Sequence, residues 1–180
     1  YVPHKKLIIK DLDPDFYVFS AHKLYGPSGL GVLYMKDHWI DTLGPYQGGG
    51  SMINNVEIDS STYLEGFQKF EAGTPPIAEV IGLSASLDFI SEVGIDNIYD
   101  TENKLTQYAY EQLKKNKDIK IYGDFKNQTS IISFNINGIH FNDLAMFLDK
   151  KNIAIRTGHH CAQPLMKDLK ITGNARMSVG

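Results

Sequence analysis

The segment DFYVFSAHKLYGPSGLGVLYM, residues 15–35, contains two short apolar runs separated by a connection rich in glycine, proline and serine. The runs at 16–19 and 30–35 are rich in β-branched and aromatic residues, which predicts two strands. The connection between them predicts a turn. Lys23 therefore lies just beyond the end of the first predicted strand.

Lys23 has neighbours that suit covalent chemistry. Ala21 and Leu24 are apolar, so we expect the lysine to lose contact with water, which favours the neutral, nucleophilic form of its amine. Such an amine can form a Schiff base with a carbonyl group. Ser20 and His22 add a hydroxyl and an imidazole, which can hydrogen-bond to a phosphate. On the residues alone, a solvated turn lysine remains the simpler interpretation.

The segment SAHKLYGPSGLGVLY, residues 20–34, resembles the cofactor-lysine motif of the class V aminotransferase family, most closely that of SufS-type (type II) cysteine desulfurases. The resemblance implies an α/β fold, that of the PLP-dependent transferases of fold type I, which is aspartate aminotransferase-like. It also implies pyridoxal 5'-phosphate as the cofactor, with Lys23 bound to it covalently. His22 and Ser20 match further cofactor-binding positions.

The composition is that of an ordinary globular chain. It has 180 residues, 42% hydrophobic and 22% charged, with a net charge of −3. No apolar run approaches the roughly 18 residues of a membrane span, and no basic stripe is present, so we expect neither a membrane nor a nucleic acid as partner. The single cysteine excludes an internal disulfide and suits a reducing compartment, the cytoplasm or, in a eukaryote, a plastid or mitochondrion.

A second motif, FEAGTP at residues 70–75, follows a glycine-rich stretch at 48–50. Thr74 followed by Pro75 is typical of a helix N-terminus, which is suited to binding phosphate. A threonine that only caps its helix explains the same pattern. In the family that the chain resembles, the residues matching Gly73 and Thr74 reach the cofactor phosphate of the neighbouring subunit. The resemblance therefore implies a homodimer with shared sites.

The remaining pattern predicts further helices and strands. Apolar residues at three- and four-residue spacing predict a helix over 76–93 that packs through one face, and a second helix runs over 96–117. The first helix's predicted apolar face consists of Ile77, Val80, Ile81, Leu87, Ile90 and Val93. The segments predicted to follow are strands at 119–122, 130–135 and 153–155 and a helix at 141–151 capped by Asn142.

Taken with the resemblance, this pattern predicts two domains. Residues 1–85 are expected to form the C-terminal part of the large cofactor-binding domain. Residues 86–180 are expected to form the small C-terminal α+β domain, incomplete at its end.

A third motif, RTGHHCAQPLM at residues 156–166, contains the only cysteine. Gly158 and Pro164 bracket a loop, so Cys161 is predicted to lie outside the packed elements. Two histidines and an arginine nearby in the sequence would favour its thiolate if they approach the sulfur in the fold. An inert cysteine remains the commoner alternative. No metal site is predicted, because adjacent histidines on one short loop rarely face the same ion and no second ligand pair appears.

This motif is very similar to the active-cysteine loop of SufS-type desulfurases, so the resemblance implies that Cys161 accepts sulfur. The segment NARMS at 174–178 resembles the one whose arginine binds the substrate α-carboxylate, and Arg176 is the matching residue. A bidentate guanidinium suits that task. Arg156 matches another arginine of the family's pocket. A surface ion pair remains the alternative for both arginines.

The resemblance implies an enzyme, a PLP-dependent cysteine desulfurase that converts L-cysteine to L-alanine. The sulfur would be held as a persulfide on Cys161 and passed to an acceptor protein of the SufE or SufU type for iron–sulfur cluster assembly. L-Selenocysteine is implied as a second substrate.

Two alternatives remain open. One is another class V lyase or aminotransferase, of the selenocysteine lyase kind. The other is a catalytically inactive piece, because the family residues that hold the cofactor ring lie upstream of the lysine, before the first residue of this chain. The chain is therefore expected to be a C-terminal fragment.

Overall fold

The structure is a computed structural model that describes residues 2–125 and 129–180. Contacts within the chain divide it into two compact units. The thiol unit comprises Pro3–Lys5 and Ile95–Gly180, and the lysine unit comprises Val2 and Lys6–Gly94. The division between them falls between Gly94 and Ile95. The sequence-based boundary at 85/86 falls within a helix.

The described residues form short elements joined by turns. The helices are α1 Ile9–Leu12, α2 Asp37–Thr42, α3 Ile77–Val93, α4 Ile95–Lys114, α5 Phe141–Asp149 and α6 Gln163–Asp168. The strands are β1 Phe16–Ser20, β2 Gly31–Met35, β3 Ile53–Val56, β4 Ser61–Tyr63, β5 Ile119–Tyr122, β6 Ile131–Ile136, β7 Arg156–Gly158 and β8 Asn174–Ser178. Two 3-10 turns lie at Ala21–Lys23 and Gly66–Phe70.

The lysine unit contains two antiparallel hairpins, β1 with β2 and β3 with β4. The first hairpin confirms the two strands that the sequence predicts, and its last register pair joins Ser20 to Gly31. Ala21, Leu24 and Leu83 form the buried cluster of this unit. The Lys23 turn therefore begins at a core residue.

Helix α3 confirms the predicted helix, and Ile90 packs against the buried cluster as predicted. The prediction is wrong for the other five residues of that face, which are exposed. Ile77, Val80 and Ile81 are 61%, 50% and 66% exposed, while Leu83 and Ser86 are buried. The helix has apolar residues on several sides, so spacing alone does not identify the packed one. The predicted Thr74 cap is also wrong, because the helix begins after Pro76 and has no side-chain cap.

The thiol unit is a four-stranded antiparallel sheet in the order β5-β6-β8-β7. Alternate residues of β6, Ile132 and Phe134, are buried with Leu144 of α5 and Ala175 of β8. This alternation is what a strand with one covered face requires.

Two local predictions for this unit are wrong. The strand expected at 153–155 is instead part of the connection after α5, where the Ile153 amide donates to the Leu148 carbonyl, and the strand begins at Arg156. The cap of α5 is His140 rather than Asn142, because the His140 ring accepts from the Asn142 amide.

Candidate active site

The Lys23 turn is held by buried residues at both ends. Ala21 is fully buried and Leu24 is 5% exposed. The Ala21 amide donates to the Leu30 carbonyl, and the Leu24 and Gly26 amides donate to the Ala21 carbonyl. The turn therefore presents His22 and Lys23 from a fixed base.

Close backbone packing supports the same turn. A Cβ atom at Gly26 would lie 2.9 Å from the Ala21 carbonyl oxygen, so no larger residue fits there without a shift. On α3, the Ser86 hydroxyl donates to the Tyr25 carbonyl at 3.0 Å, and Gly82 leaves room for Pro27. These contacts make the position of Lys23 a property of the packed lysine unit.

Lys23 and His22 are exposed, and Ser20 is half-buried. The expectation that apolar neighbours remove the lysine from water is therefore wrong for this chain: Ala21 and Leu24 turn inward while the amine faces outward. Across residues 2–125 and 129–180, no hydrogen bond or ion pair engages the side chains of Ser20, His22, Lys23 and Thr74. Two hydroxyls, an imidazole and an amine are thus free to bind a phosphorylated group.

Gly73 and Thr74 lie beside the glycine-rich stretch. The Gly73 amide donates to the Gly50 carbonyl at 2.8 Å. A Cβ atom at Gly49 would lie 3.1 Å from that of Ala72, so glycine allows a close approach at that position. Gly73 adopts a φ of 89°. Both Gly73 and Thr74 line a pocket of about 610 Å³ in the lysine unit, and Lys23 is not among its lining residues.

Cys161 lies on the connection between β7 and α6, and its side chain is exposed. The Cys161 amide donates to the His159 ring at 3.2 Å, and the Ala162 amide donates to the His159 carbonyl. His160 and Cys161 have positive φ angles of 53° and 57°. The thiol loop, residues 159–162, is thus a compact turn that presents its cysteine to solvent, as the sequence predicts.

The two predicted substrate arginines lie together. Arg156 on β7 and Arg176 on β8 are register partners. The Nε atom of Arg176 is buried and has no hydrogen-bond partner among the described residues. Arg176 lines a pocket of about 460 Å³ together with His160, Asn174 and apolar residues of α6. An unpaired guanidinium nitrogen in a mainly apolar pocket can bind a carboxylate.

The structure groups the candidate residues into two sets. In the lysine unit, Ser20 ends β1, and His22 and Lys23 lie in the turn that follows it. Gly73 and Thr74 lie on another segment of that unit. The thiol unit brings Arg156, Arg176 and the thiol loop to β7, β8 and their connection.

Sequence reasoning missed the pairing of His160 with Asn174. His160 Nε2 lies 2.8 Å from Asn174 Oδ1 and 3.2 Å from the Asn174 carbonyl. His160 lies in the motif at 156–166 and Asn174 in the segment at 174–178, but only the register of β7 with β8 brings them together.

Neither a metal centre nor a membrane helix is found in the described part of the chain. Residues 2–125 and 129–180 contain no group of three histidine, cysteine or acidic side chains placed to hold a metal ion. No helix within those ranges is long and apolar enough to cross a membrane.

The chain resembles proteins named cysteine desulfurases throughout its length. It is 45% identical over 176 residues to a probable cysteine desulfurase of Halalkalibacterium halodurans, covering 98% of this chain and 43% of that protein. It is 43% identical over 179 residues to a cysteine desulfurase of Escherichia coli O8, covering 99% of this chain and 44% of the relative. The chain therefore spans less than half the length of the curated relatives it matches.

Solved structures show the same relationship. The apo cysteine desulfurase of Thermococcus onnurineus superimposes with a TM-score of 0.93 at 39% identity, covering 98% of this chain and 45% of that chain. The Escherichia coli cysteine desulfurase CsdA, in an S-sulfonic acid form, gives 0.91 at 39% identity, covering 98% and 44%. These matches confirm the predicted fold class, that of the fold-type-I transferases.

The sequence also matches the family described as Aminotransferase class-V over residues 1–180. With the fold and the lysine turn, this match is decisive: the chain belongs to the aminotransferase class-V family.

Proposed function

We propose that this chain is the part of a SufS-type, PLP-dependent cysteine desulfurase that carries the cofactor lysine and the sulfur-accepting cysteine. The observation that carries the proposal is the thiol loop, which holds an exposed Cys161 on the connection that leads from the strand of Arg156. The relatives at 39–45% identity named above, which are cysteine desulfurases, support it.

The overall reaction balances without an external oxidant. L-Cysteine and the Cys161 thiol give L-alanine and a Cys161 persulfide. A sulfur–sulfur bond forms, the substrate's Cβ–Sγ bond breaks, and the proton released by the two thiols ends on the new methyl group of alanine. The two sulfur atoms are oxidised as a pair while Cβ is reduced. A nucleophilic thiolate at Cys161 is the group that such a step needs.

The residues present fit pyridoxal 5'-phosphate. The free amine of Lys23 would hold it covalently, and the Ser20 hydroxyl and the His22 ring would hold its phosphate. The Gly73 backbone and the Thr74 hydroxyl would reach the phosphate of the cofactor held by the neighbouring subunit of the proposed homodimer. When bound, this cofactor supplies an electron sink for the substrate's Cα. The Lys23 amine would move the proton at the substrate's Cα.

The arginines hold the substrate. The unpaired Arg176 guanidinium would bind the α-carboxylate of L-cysteine in bidentate fashion, with Arg156 adding positive charge from the neighbouring strand. L-Selenocysteine carries the same carboxylate and offers selenium to the same thiolate, so we propose it as a second substrate.

We further propose that the lysine unit belongs to the large cofactor-binding domain of a homodimer and the thiol unit to its small C-terminal domain. A sulfur acceptor of the SufE or SufU type would take the persulfide for iron–sulfur cluster assembly. The exposure of Cys161 supports transfer to a second protein. A single free thiol is kept reduced in the cytoplasm, which supports that location.

The test uses the full chain with pyridoxal phosphate and L-cysteine. We expect borohydride reduction to fix the cofactor on Lys23, as located by mass spectrometry, and L-cysteine to add one sulfur atom to Cys161 with release of alanine. Lys23→Ala should abolish the cofactor adduct, and Cys161→Ser should abolish the persulfide. Lys10→Ala, which removes another exposed lysine, is the matched control and should change neither.

The outcomes separate the alternatives. Cofactor on Lys23 with amino-group or lyase products but no sulfur on Cys161 would favour another class V lyase or aminotransferase. Failure of the cofactor to attach anywhere would favour the catalytically inactive piece, and attachment to a lysine other than Lys23 would contradict the proposal.

A further inference from the structure

His160 makes a shared hydrogen bond to a buried residue of β8. Its Nε2 atom lies 2.8 Å from Asn174 Oδ1 and 3.2 Å from the Asn174 carbonyl oxygen. Because both partners are acceptors, Nε2 carries the proton and donates. Asn174 is only 2% exposed. The ring is therefore fixed to the body of the thiol unit rather than to another part of its own loop.

The loop needs such an anchor because its backbone is unfavourable. His160 and Cys161 both adopt left-handed backbone angles, at φ values of 53° and 57°. Side chains other than glycine rarely adopt this region, and two such residues in succession rarer still. A conformation of this kind persists only where surrounding contacts determine it.

The anchor point is close to the proposed carboxylate-binding arginine. Asn174 and Arg176 are two residues apart on β8, so their side chains leave the same face of the sheet. Both line the pocket of about 460 Å³, as does His160. At the base of the loop, Asn174 is also the register partner of Gly158. One strand thus determines the position of both the thiol loop and Arg176.

The size of the proposed substrate explains why the thiol loop and Arg176 should be positioned by the same strand. In L-cysteine, three covalent bonds join the carboxylate carbon to Sγ, so a group that binds the carboxylate and a group that attacks sulfur must keep a fixed separation. A catalytic group displaced by about 1 Å can lose about 100-fold in rate.

We propose that His160 is a positioning residue, which through its hydrogen bond to Asn174 holds Cys161 at a fixed place relative to Arg176. The inference rests on the proposed function, because it gives the loop geometry its purpose. The link itself can be tested whether or not the chain turns over.

The first measurement is hydrogen exchange of the Cys161 and Ala162 amides in the full chain. His160→Ala should raise their exchange rates about tenfold, the loss expected for one hydrogen bond. His160→Gln, which keeps a donor at the far end of its side chain, should restore much of the protection. His38→Ala, in the lysine unit, is the control for loss of an exposed histidine and should leave both rates unchanged.

A double mutant tests the partner. If His160 and Asn174 act through one bond, adding Asn174→Ala to His160→Ala should raise the exchange rates no further. Additive effects, unchanged exchange in His160→Ala, or no restoration by His160→Gln would each overturn the proposal. If Asn174→Ala does not fold, the comparison of His160→Ala with His160→Gln still decides.

The second measurement is the rate at which L-cysteine sulfurates Cys161 in the cofactor-loaded chain. His160→Ala should slow this step about 10-fold or more, whereas the affinity for L-cysteine stays within about twofold, because Arg176 is intact. Equal losses of rate and affinity would contradict a role specific to Cys161. Absence of persulfide in the unmodified chain would overturn the proposed function, while the exchange rates would still report on the anchor.

Discussion

Arg156 and Arg176 stand directly opposite each other on β7 and β8. Like charges in such a cross-strand pair are destabilising, and the buried Nε of Arg176 has no protein partner among the described residues. We therefore expect the pair to be unfavourable for the chain alone and a bound anion to relieve the repulsion between the two guanidinium groups.

Replacing Arg176 should separate stability from binding. Arg176→Met removes the repulsion and the unpaired nitrogen, so we expect the free energy of unfolding of the thiol unit to stay the same or rise by about 1 kcal/mol. L-Cysteine affinity should fall at least about tenfold with the lost charge-assisted hydrogen bonds. Urea denaturation and calorimetric titration measure the two quantities.

Arg156→Met is the matched control for that experiment. It relieves the same repulsion but leaves the Arg176 guanidinium in place, so its effect on affinity should be the smaller of the two. A marked loss of stability in Arg176→Met would show that its guanidinium has a structural partner instead.

Truncation to alanine at two nearby positions of α3 should change the free energy of unfolding by very different amounts. Leu83 is 9% exposed and belongs to the core of the lysine unit, so Leu83→Ala should lower the free energy of unfolding by about 2–5 kcal/mol. Ile81 is 66% exposed, so Ile81→Ala should change it by no more than about 0.5 kcal/mol. Urea denaturation of both variants checks this, and equal losses would mean that Ile81 is packed.

Local sequence signals were sufficient for the hairpin and the site loops. The strands β1 and β2 follow from adjacent apolar runs, and the turn between them follows from glycine and proline. The exposed Cys161 follows in the same way from Gly158 and Pro164, which bracket its loop. In each case the deciding residues are close together in the chain.

Long-range contacts were beyond the same reasoning. Glu102 of α4 is only 5% exposed, and its carboxylate lies 2.8 Å from the ring of His4, which is 98 residues away in the chain. Leu105, which has the apolar spacing of a packed position on the same helix, is 50% exposed. The exposed apolar side of α3 could not be predicted for the same reason. Its spacing fits a packed face, but the spacing does not show whether another part of the fold covers that face.

Gly173 should tolerate no side chain. A Cβ atom there would lie 2.8 Å from the Phe141 ring and 2.9 Å from the backbone of Gly158, and backbone atoms cannot move aside cheaply. Gly173→Ala should therefore lower the free energy of unfolding of the thiol unit by about 1–3 kcal/mol, as measured by urea denaturation. Gly44→Ala, where the added atom meets nothing within 4 Å, should be neutral. A neutral Gly173→Ala would mean that β8 can shift against Gly158.

Lys36 should report on its contact with Asp13 through its own titration. A hydrogen bond to the Asp13 side chain, 2.8 Å away, raises the pKa of Lys36 above its ordinary value of 10.5. A raised pKa means that the pair stabilises the fold at neutral pH and that this contribution is lost as pH rises through the folded-state pKa. Asp13→Asn, which retains a side chain tolerant of the left-handed backbone there, should lower the Lys36 pKa in an NMR titration. An unchanged titration would show that the contact is absent in solution.

The left-handed backbone at Cys161 lowers the stability of the fold at the residue that carries the reactive group. Glycine adopts such angles without strain, so the backbone of the loop would be less strained with glycine at the position that carries the thiol. Strain retained at one residue is common where activity depends on it. In a related protein with several cysteines, the first candidate for the sulfur carrier would then be a cysteine with a positive φ angle, which glycine adopts more readily than cysteine does.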